Sequence, residues 1–168
     1  GHTVDNKRYV GWPSIHDAVN RISFEMYKDN WRPDYIVGLT RGGLIPAVVM
    51  SHTLDVPMHA LKVSLRDHVG EDHDSGLSDL AATGANILVL DDINDTGATL
   101  NWIMQDWPAG CLPDDPKWNN VFGNNVRFAT LTENLASEFD KVRYTCHEIN
   151  KAEEDVWLVY PWENVAEY

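Results

Sequence analysis

The sequence predicts an α/β fold in which a mainly parallel β-sheet is flanked by helices. Two short apolar runs, residues 34–39 and 87–90, are each followed by a loop of small residues and then by a helical pattern. Continuous apolar runs of this length are typical of strands that are covered on both faces. Because strand and helix patterns alternate along most of the 168 residues, a parallel sheet is favoured over an antiparallel one.

The first predicted element is an amphipathic helix. Apolar residues recur at helical spacing from Ile15 to Met26, and Ser14 is well placed to cap the helix, which we expect to end near Lys28. The apolar run 34–39 follows as a buried strand. It leads into Thr-Arg-Gly-Gly, which indicates a tight loop.

The next part of the chain contains a long stretch without clear periodicity. Residues 44–54 are expected to be helical, and 58–63 to form a second strand. Residues 64–86 then carry charges and glycines. A stretch of this length without secondary structure is usually either a functional lid or a wrong assignment. We predict a mobile lid over 64–86, with a helical turn at 77–82 as the alternative.

The remaining elements follow from the same signals. Four consecutive apolar residues predict a central strand, which is followed by a loop and a helix. A segment rich in Pro, Asp, Asn and Gly indicates a surface connection, and two further strands are the last predicted elements. In order, these elements are the strand 87–90, the loop 91–99, the helix 99–107, the connection 107–125 and the strands 126–131 and 156–160.

The formal net charge of −13 restricts the classes of partner. An acidic chain repels polyanions, and no basic cluster offers a nucleic acid a local site, so we expect no nucleic-acid partner. A small phosphorylated ligand remains compatible, since backbone N–H groups bind phosphate whatever the net charge. No apolar run is long enough to cross a bilayer, so we expect no membrane partner and a cytoplasmic location.

The segment 87–99, which reads ILVLDDINDTGAT, contains the strongest functional signal. A buried strand delivers Asp91 and Asp92 to the carboxyl edge of the sheet, where open α/β sheets bind ligands. The residues that follow combine two hydroxyls, a glycine and a helix start, which suit a phosphate. Such residues are also common in ordinary turns and caps, but their order after a buried strand favours the functional interpretation.

Two other motifs of phosphate-binding proteins are excluded because the sequence lacks their residue spacing. A dehalogenase-type phosphatase separates its two acids by one residue, whereas Asp91 and Asp92 are adjacent. A P-loop ends in Gly-Lys-Ser or Gly-Lys-Thr, and the chain contains neither tripeptide.

Segment 87–99 resembles the phosphoribosyl pyrophosphate motif of type I phosphoribosyltransferases. The resemblance implies that Asp91 and Asp92 hold the ribose 2- and 3-hydroxyls, directly or through Mg²⁺ as the cofactor. It also implies that Asp95 takes a proton from the base. The residues that would bind the 5-phosphate are Asp95, Thr96, Gly97, Ala98 and Thr99.

A second segment, Thr40-Arg41-Gly42-Gly43, follows the first predicted strand. Its cation and its glycines let backbone N–H groups approach an anion closely. It resembles the pyrophosphate loop of 6-oxopurine phosphoribosyltransferases, with Thr40 in place of Ser. The resemblance assigns these four residues to the pyrophosphate.

A third segment, residues 155–163, resembles the carboxyl-terminal stretch of xanthine-guanine type enzymes from bacteria and archaea. By that resemblance Trp157 stacks on the purine, and Leu158 contributes backbone groups that read its edge. The alternative is that Trp157 packs in the core or in the hood, as a Trp on a strand often does. Both interpretations stay open at this stage.

The resemblance has one departure. The related enzymes usually carry a Lys after the strand that matches 126–131, where it holds the 6-oxo group, but this chain has Thr132-Glu133-Asn134-Leu135. Lys141 takes the place of this Lys only if the alignment slips by several residues. The Asn134 amide could favour a base with a different pattern of exocyclic groups.

In the lid, Ser64 and Arg66 are the candidate functional residues.

Together these segments predict one phosphoribosyltransferase domain over residues 1–168, with hood elements near 132–168. The implied enzyme transfers 5-phosphoribose from phosphoribosyl pyrophosphate to hypoxanthine, guanine or xanthine and releases pyrophosphate, in nucleotide salvage. Its partners are phosphoribosyl pyrophosphate and a nucleobase, and the resemblance implies a homo-oligomer. The alternatives are a regulatory protein that binds phosphoribosyl pyrophosphate without catalysis and a transferase for another nucleobase.

Overall fold

A computed structural model describes residues 6–63, 65 and 76–164. Its elements, in chain order, are β1 (Lys7–Tyr9), α1 (Trp12–Lys28), β2 (Tyr35–Leu39), α2 (Leu44–Leu54), β3 (Met58–Leu61), α3 (Leu77–Ala82), β4 (Ile87–Asn94), α4 (Ala98–Gly110), a 3₁₀ helix (Pro116–Asn120), β5 (Val126–Asn134), β6 (Val142–Ile149) and β7 (Trp157–Val159). Within these ranges, no helix is both long and apolar enough to cross a membrane.

The central sheet has five strands in the order β3-β2-β4-β5-β6, and every neighbouring pair is parallel. The predicted α/β fold with a mainly parallel sheet is therefore confirmed. Since all five strands run the same way, their carboxyl ends meet at one edge. The loops after β2 and β4 lie side by side there, because these two strands are neighbours.

Alternation along β4 sorts its side chains between two apolar layers. Leu88 and Leu90 pack with α1 and α2, whereas Ile87 and Val89 pack with α3 and α4. All four are fully buried, and burying such a side chain contributes roughly 1.5–3 kcal/mol relative to leaving it exposed. The same alternation continues past Leu90 and decides where the acidic residues at the end of the strand point.

Strands β1 and β7 form a separate two-stranded parallel sheet, which we call the hood. Strand β1 pairs with β7, with Lys7 opposite Trp157 and Tyr9 opposite Val159. The sequence did not predict β1, whose three residues are all exposed and carry no apolar signal. The expected hood range of 132–168 also needs correction, because residues 132–134 and 142–149 belong to β5 and β6 of the central sheet.

Two element boundaries differ from the prediction. Helix α1 begins at Trp12 with Gly11 as its N-cap, so Ser14 is not the cap. Pro13 lies in the first turn, where its fixed φ suits a helix and its missing N–H costs nothing. Strand β4 continues to Asn94, so Asp91 and Asp92 lie in a strand and not in a loop. The extension is held by pairing with β5, as far as Glu133.

The expected surface connection at 107–125 is only partly right, because most of 111–125 is exposed but several residues of the segment are buried. Helix α4 runs to Gly110, and the chain then packs an aromatic cluster against β5. Trp107 is fully buried, and Trp118 and Val121 are nearly so. Polar turn residues give the segment its surface composition, whereas the large buried side chains are the indole rings of Trp107 and Trp118.

The lid prediction for 64–86 is only partly covered by the structure. Ser64, Arg66 and the rest of 66–75 lie outside the described residues. Residues 77–82 form helix α3, in which Leu77, Ala81 and Ala82 are buried against α4. The second half of the predicted lid is therefore part of the core.

Candidate functional site

The two loops singled out in the sequence meet at the carboxyl edge of the sheet. Residues 40–43 follow β2 and residues 95–97 follow β4, which pairs with β2. Gly42 lies directly against the Asp92 carboxylate, where a Cβ atom would overlap it. Arg41 is exposed beside this contact, and the peptide bond between Thr40 and Arg41 is cis.

Asp91 and Asp92 line two different pockets at this edge of the sheet. Asp92 lines a cleft of about 760 Å³ together with Arg41, Gly42 and Glu163. Asp91 lines a smaller pocket formed by the end of β4 and residues 95–100. Because adjacent residues of a strand point to opposite faces, one pair of acids is shared between the two pockets.

The two carboxylates are partly buried and close to one another. Oδ1 of Asp91 accepts a hydrogen bond from the Asp92 N–H, and Oδ1 of Asp92 accepts one from the Ile93 N–H, each at 2.8 Å. Burial raises the pKa of Asp91 well above its usual range, and the neighbouring Asp92 charge adds to this effect. Burial likewise raises the pKa of Asp92. A bound cation would relieve both costs.

These acids fit Mg²⁺ only as part of a ligand-assisted site. Carboxylate oxygens are suitable ligands for this ion, which usually keeps waters and is completed by substrate phosphates. Among the described residues, no three His, Cys, Asp or Glu side chains converge on one point. The protein therefore offers one or two carboxylates and not a complete cage.

The second pocket contains the amino terminus of α4. Gly97 is the N-cap, with φ of 91°, and it has no side chain that could cap the first-turn N–H groups. Thr96 and Ala98 are exposed beside it, and the Ala98 N–H donates to Thr96 Oγ1 at 3.3 Å. A helix start that lacks an N-cap side chain and has hydroxyls nearby binds anions. Thr99 and Asp95 also line this pocket.

Gly97 is held in place by the segment that follows β5. A Cβ atom on Gly97 would lie 2.6 Å from the Phe139 nitrogen. The buried Asn94 side chain fixes this segment by donating to the Phe139 carbonyl oxygen at 2.8 Å and accepting from Ser137 Oγ at 2.8 Å. Asn94 was not predicted as a site residue, although its place in the 87–99 motif could have indicated it.

An ion pair that the sequence did not predict lies next to this pocket. Lys151 Nζ is 3.0 Å from Asp95 Oδ1 and 3.1 Å from Asp95 Oδ2. The Asn134 amide donates to the Asp95 carbonyl oxygen at 2.9 Å. The two charged residues are 56 positions apart in the chain, and no local motif connects them.

Trp157 is not a core residue. It is 46% exposed, and the Lys151 ammonium lies 5.6 Å from its ring centroid. Leu158 is half-buried and packs with the apolar layer beneath α1. The structure excludes packing of Trp157 in the core, whereas packing in the hood, where β7 pairs with β1, and stacking on a purine both stay predictions.

Tyr160 joins the hood to the end of β4. Its hydroxyl donates to the Asp92 carbonyl oxygen at 3.0 Å and is hydrogen-bonded to Thr132 Oγ1 at 2.9 Å. Burial raises the pKa of Tyr160, so the hydroxyl keeps its proton. Glu163, also missed by the sequence analysis, accepts from the Tyr160 N–H at 3.0 Å and faces the Asp92 cleft.

Two suggestions for reading the base are corrected. Lys141 directly precedes β6 and is exposed, so it lies at the opposite edge of the parallel sheet from the site. The Asn134 amide is already engaged. Its Oδ1 accepts from the N–H groups of Ala136 and Lys151, while its Nδ2 donates to Asp95.

Comparisons with known proteins agree with this geometry. The chain is 25% identical to a xanthine-guanine phosphoribosyltransferase from Cereibacter sphaeroides, over 95% of this chain and 89% of that protein. A purine phosphoribosyltransferase from Pyrococcus horikoshii superposes with a TM-score of 0.64 at 20% identity, covering 97% of each chain. A xanthine-guanine-hypoxanthine phosphoribosyltransferase from Helicobacter pylori gives 0.67 at 15% identity, covering 94% and 93%. The family model for the phosphoribosyl transferase domain matches residues 5–161, and the chain therefore belongs to this family.

Proposed function

We propose that the protein transfers 5-phosphoribose from phosphoribosyl pyrophosphate to a 6-oxopurine. The observation that carries the proposal is the position of Asp91 and Asp92 between two anion-binding loops. A substrate with phosphate at one end, pyrophosphate at the other and a ribose between them matches this order. The purine is supported by relatives whose names specify xanthine, guanine or hypoxanthine.

Each end of the substrate has a suitable group. The 5-phosphate is assigned to Thr96, Gly97, Ala98 and Thr99, where the start of α4 offers N–H groups and hydroxyls. The pyrophosphate is assigned to residues 40–43, where Arg41 is exposed to the cleft. The 2- and 3-hydroxyls of the ribose are assigned to Asp91 and Asp92, whose carboxylates accept hydrogen bonds.

Departure of pyrophosphate requires neutralisation of its charge. Mg²⁺ held by Asp91 or Asp92 together with the substrate would neutralise phosphate oxygens and orient them. Arg41 adds a permanent positive charge that needs no metal. Gly42 brings the backbone of this loop against Asp92, so the loop that carries Arg41 lies next to the acids.

The reaction is a displacement at the anomeric carbon. A ring nitrogen of the base forms a bond to this carbon as the bond to the pyrophosphate oxygen breaks, and the electron pair leaves with pyrophosphate. The proton displaced from the base goes to Asp95, which lines the pocket and whose carboxylate, paired with Lys151, is an acceptor. Trp157 offers an exposed ring on which the base can stack.

Pyrophosphate release tests the proposal. The protein is mixed with phosphoribosyl pyrophosphate and Mg²⁺, and with hypoxanthine, guanine, xanthine, adenine, uracil or orotate in turn. We expect release with at least one 6-oxopurine and a loss of about 10²- to 10⁴-fold in Asp95→Asn. The control is Asp17→Asn, which removes an exposed carboxylate on α1 and should leave the rate unchanged.

The other outcomes separate the alternatives. Release only with uracil or orotate would make the protein a transferase for a pyrimidine. If no base reacts while calorimetry shows that phosphoribosyl pyrophosphate binds, the protein is a binding or regulatory member of the family. In that case Asp91→Asn should still weaken binding, because the ribose contacts do not depend on catalysis.

A further inference from the structure

The ion pair between Lys151 and Asp95 borders the pocket that Asp95 lines and does not lie in the core. The Lys151 side chain is 26% exposed and the Asp95 side chain is 43% exposed. Both carboxylate oxygens of Asp95 lie within 3.1 Å of the ammonium. An exposed pair of this kind contributes little to stability, typically about 0–1 kcal/mol, so stability alone is a weak reason for it.

Asn134 holds both members of the pair through their backbones. It is 5% exposed, and its Nδ2 donates to the Asp95 carbonyl oxygen at 2.9 Å. Its Oδ1 accepts from the Lys151 N–H at 3.0 Å. One buried amide at the end of β5 therefore sets the distance between the loop after β4 and the turn after β6.

The pair presents a donor next to an acceptor. An ammonium has three N–H donors and no acceptor. The two carboxylate oxygens of Asp95 accept hydrogen bonds from two of these donors at most. The third N–H remains for a ligand. An ionised carboxylate only accepts hydrogen bonds, so this part of the site is complementary to a ligand in which a carbonyl oxygen lies next to a ring N–H.

Trp157 places a flat ligand against this pair. The ammonium lies 5.6 Å from the centroid of its ring, so a base that stacks on the indole would bring its rim to Lys151. An oxo group there would accept from the ammonium. An amino group would place a donor against a donor, so the third N–H of the ammonium would lack an acceptor, and leaving this hydrogen bond unmade costs more than the bond itself.

We propose that Lys151 determines base specificity by binding the exocyclic oxygen, and that Asn134 is the positioning residue that sets Lys151 against Asp95. The proposal rests on the proposed function for the identity of the pocket. It names the feature of the base that is selected, an oxo group instead of an amino group, and assigns the selection to the turn between β6 and β7.

Binding of two nucleotides tests the proposal without requiring catalysis. Inosine monophosphate and adenosine monophosphate differ at ring position 6, where one has an oxo group and the other an amino group. Calorimetry should show tighter binding of the inosine nucleotide to the unmodified protein. In Lys151→Met, which keeps an unbranched side chain but loses the charge, we expect this preference to fall by about ten- to a hundredfold. The control is Lys141→Met, which removes a charge at the opposite edge of the sheet.

The positioning role of Asn134 needs a second comparison. Asn134→Ala should also reduce the preference, and the double variant with Lys151→Met should lose no more of it than Lys151→Met alone, because both changes act through the same ammonium. A purely structural role for Asn134 would weaken both nucleotides equally and leave their ratio unchanged.

Failure of this proposal and failure of the proposed function give different results. An unchanged preference in Lys151→Met, or unmodified protein that binds neither nucleotide or both equally, would overturn the assignment of Lys151. Absence of pyrophosphate release with every base, alongside a preference that depends on Lys151, would overturn the transferase activity and leave the specificity assignment standing.

Discussion

Gly42 and Asp92 touch so closely that no side chain fits between them. A Cβ atom on Gly42 would overlap the Asp92 carboxylate, which ties the loop after β2 to the end of β4. The overlap involves the end of a side chain and no backbone atom, so the fold can tolerate it if the carboxylate moves. The contact therefore matters more for the geometry of the site than for stability.

We predict that Gly42→Ala displaces the Asp92 carboxylate and impairs catalysis while the protein stays folded. The free energy of unfolding should change by less than about 1 kcal/mol. The kcat/KM for pyrophosphate release should fall about 10- to 100-fold, since small misplacements of a reacting group are costly. Chemical denaturation and steady-state kinetics measure the two effects on the same sample.

Gly43→Ala is the matched control for this prediction. A Cβ atom there would lie 2.8 Å from the backbone nitrogen of Leu39 and also against the Leu90 carbonyl oxygen. Backbone atoms in the sheet cannot move aside, so this variant should lose about 1–3 kcal/mol of stability. Equal stability losses in the two variants would contradict the distinction drawn between them.

A second prediction concerns Gly97 at the start of α4. Its φ of 91° disfavours any L side chain, and a Cβ atom would lie 2.6 Å from the Phe139 nitrogen. We expect Gly97→Ala to lose about 2–5 kcal/mol of unfolding free energy, from backbone strain together with the clash. Gly123→Ala, with φ of 87° and open space around the position, should cost only about 1–2 kcal/mol. Similar costs for both would exclude the clash as a cause.

The sequence predicted the centre of the fold because the signal there is local. The run 87–90 is apolar throughout, and 35–39 contains no charged residue, because β4 and β2 are covered on both faces. Strand β6 was missed because it lies at the edge of the sheet and contains one buried residue, Tyr144, among exposed and half-buried ones. Strand β1 has three exposed residues and depends on hydrogen bonds to β7.

The functional site, like the fold, was predicted only where its signal is local in the sequence. Residues 40–43 and 91–99 form contiguous motifs, so their residue types and spacing are enough to predict a site. Lys151 reaches Asp95 only after β5 and β6 have paired and the following turn has been fixed by Asn134. Nothing in the neighbouring sequence marks this lysine, because its role depends on a contact 56 residues away.

A third prediction concerns the pH dependence of stability at Asp91. Burial, together with the Asp92 charge, raises the pKa of Asp91 in the folded protein. The folded state therefore binds a proton that the unfolded chain releases at lower pH. The free energy of unfolding should fall as the pH rises from the ordinary Asp pKa to the raised one, and should stay reduced above it.

Asp91→Asn removes this cost and should raise the free energy of unfolding at neutral pH by about 0.5–2 kcal/mol. Its stability should also vary less with pH over the acidic range than that of the unmodified protein. Thermal unfolding in a pH series measures both effects, with Asp17→Asn as an exposed control. A variant that is less stable than the unmodified protein at neutral pH would contradict the assigned cause.

The last prediction concerns the link between the hood and β4. Tyr160 is buried, and its hydroxyl bonds both the Asp92 carbonyl oxygen and Thr132 Oγ1. Tyr160→Phe keeps the ring stacked on Trp162, whose centroid is 4.9 Å away, but leaves the buried Thr132 hydroxyl without this partner. We expect a loss of about 1–3 kcal/mol in denaturant unfolding.

Thr132→Val distinguishes the two hydrogen bonds, because it removes the second hydroxyl and leaves the bond from Tyr160 to Asp92 intact. The double variant should lose less than the sum of the two single losses, since no hydroxyl is then buried without its partner. If the losses simply add, the two hydroxyls act independently, and the hood is held to β4 by apolar packing around Tyr160 instead of by this hydrogen-bonded pair.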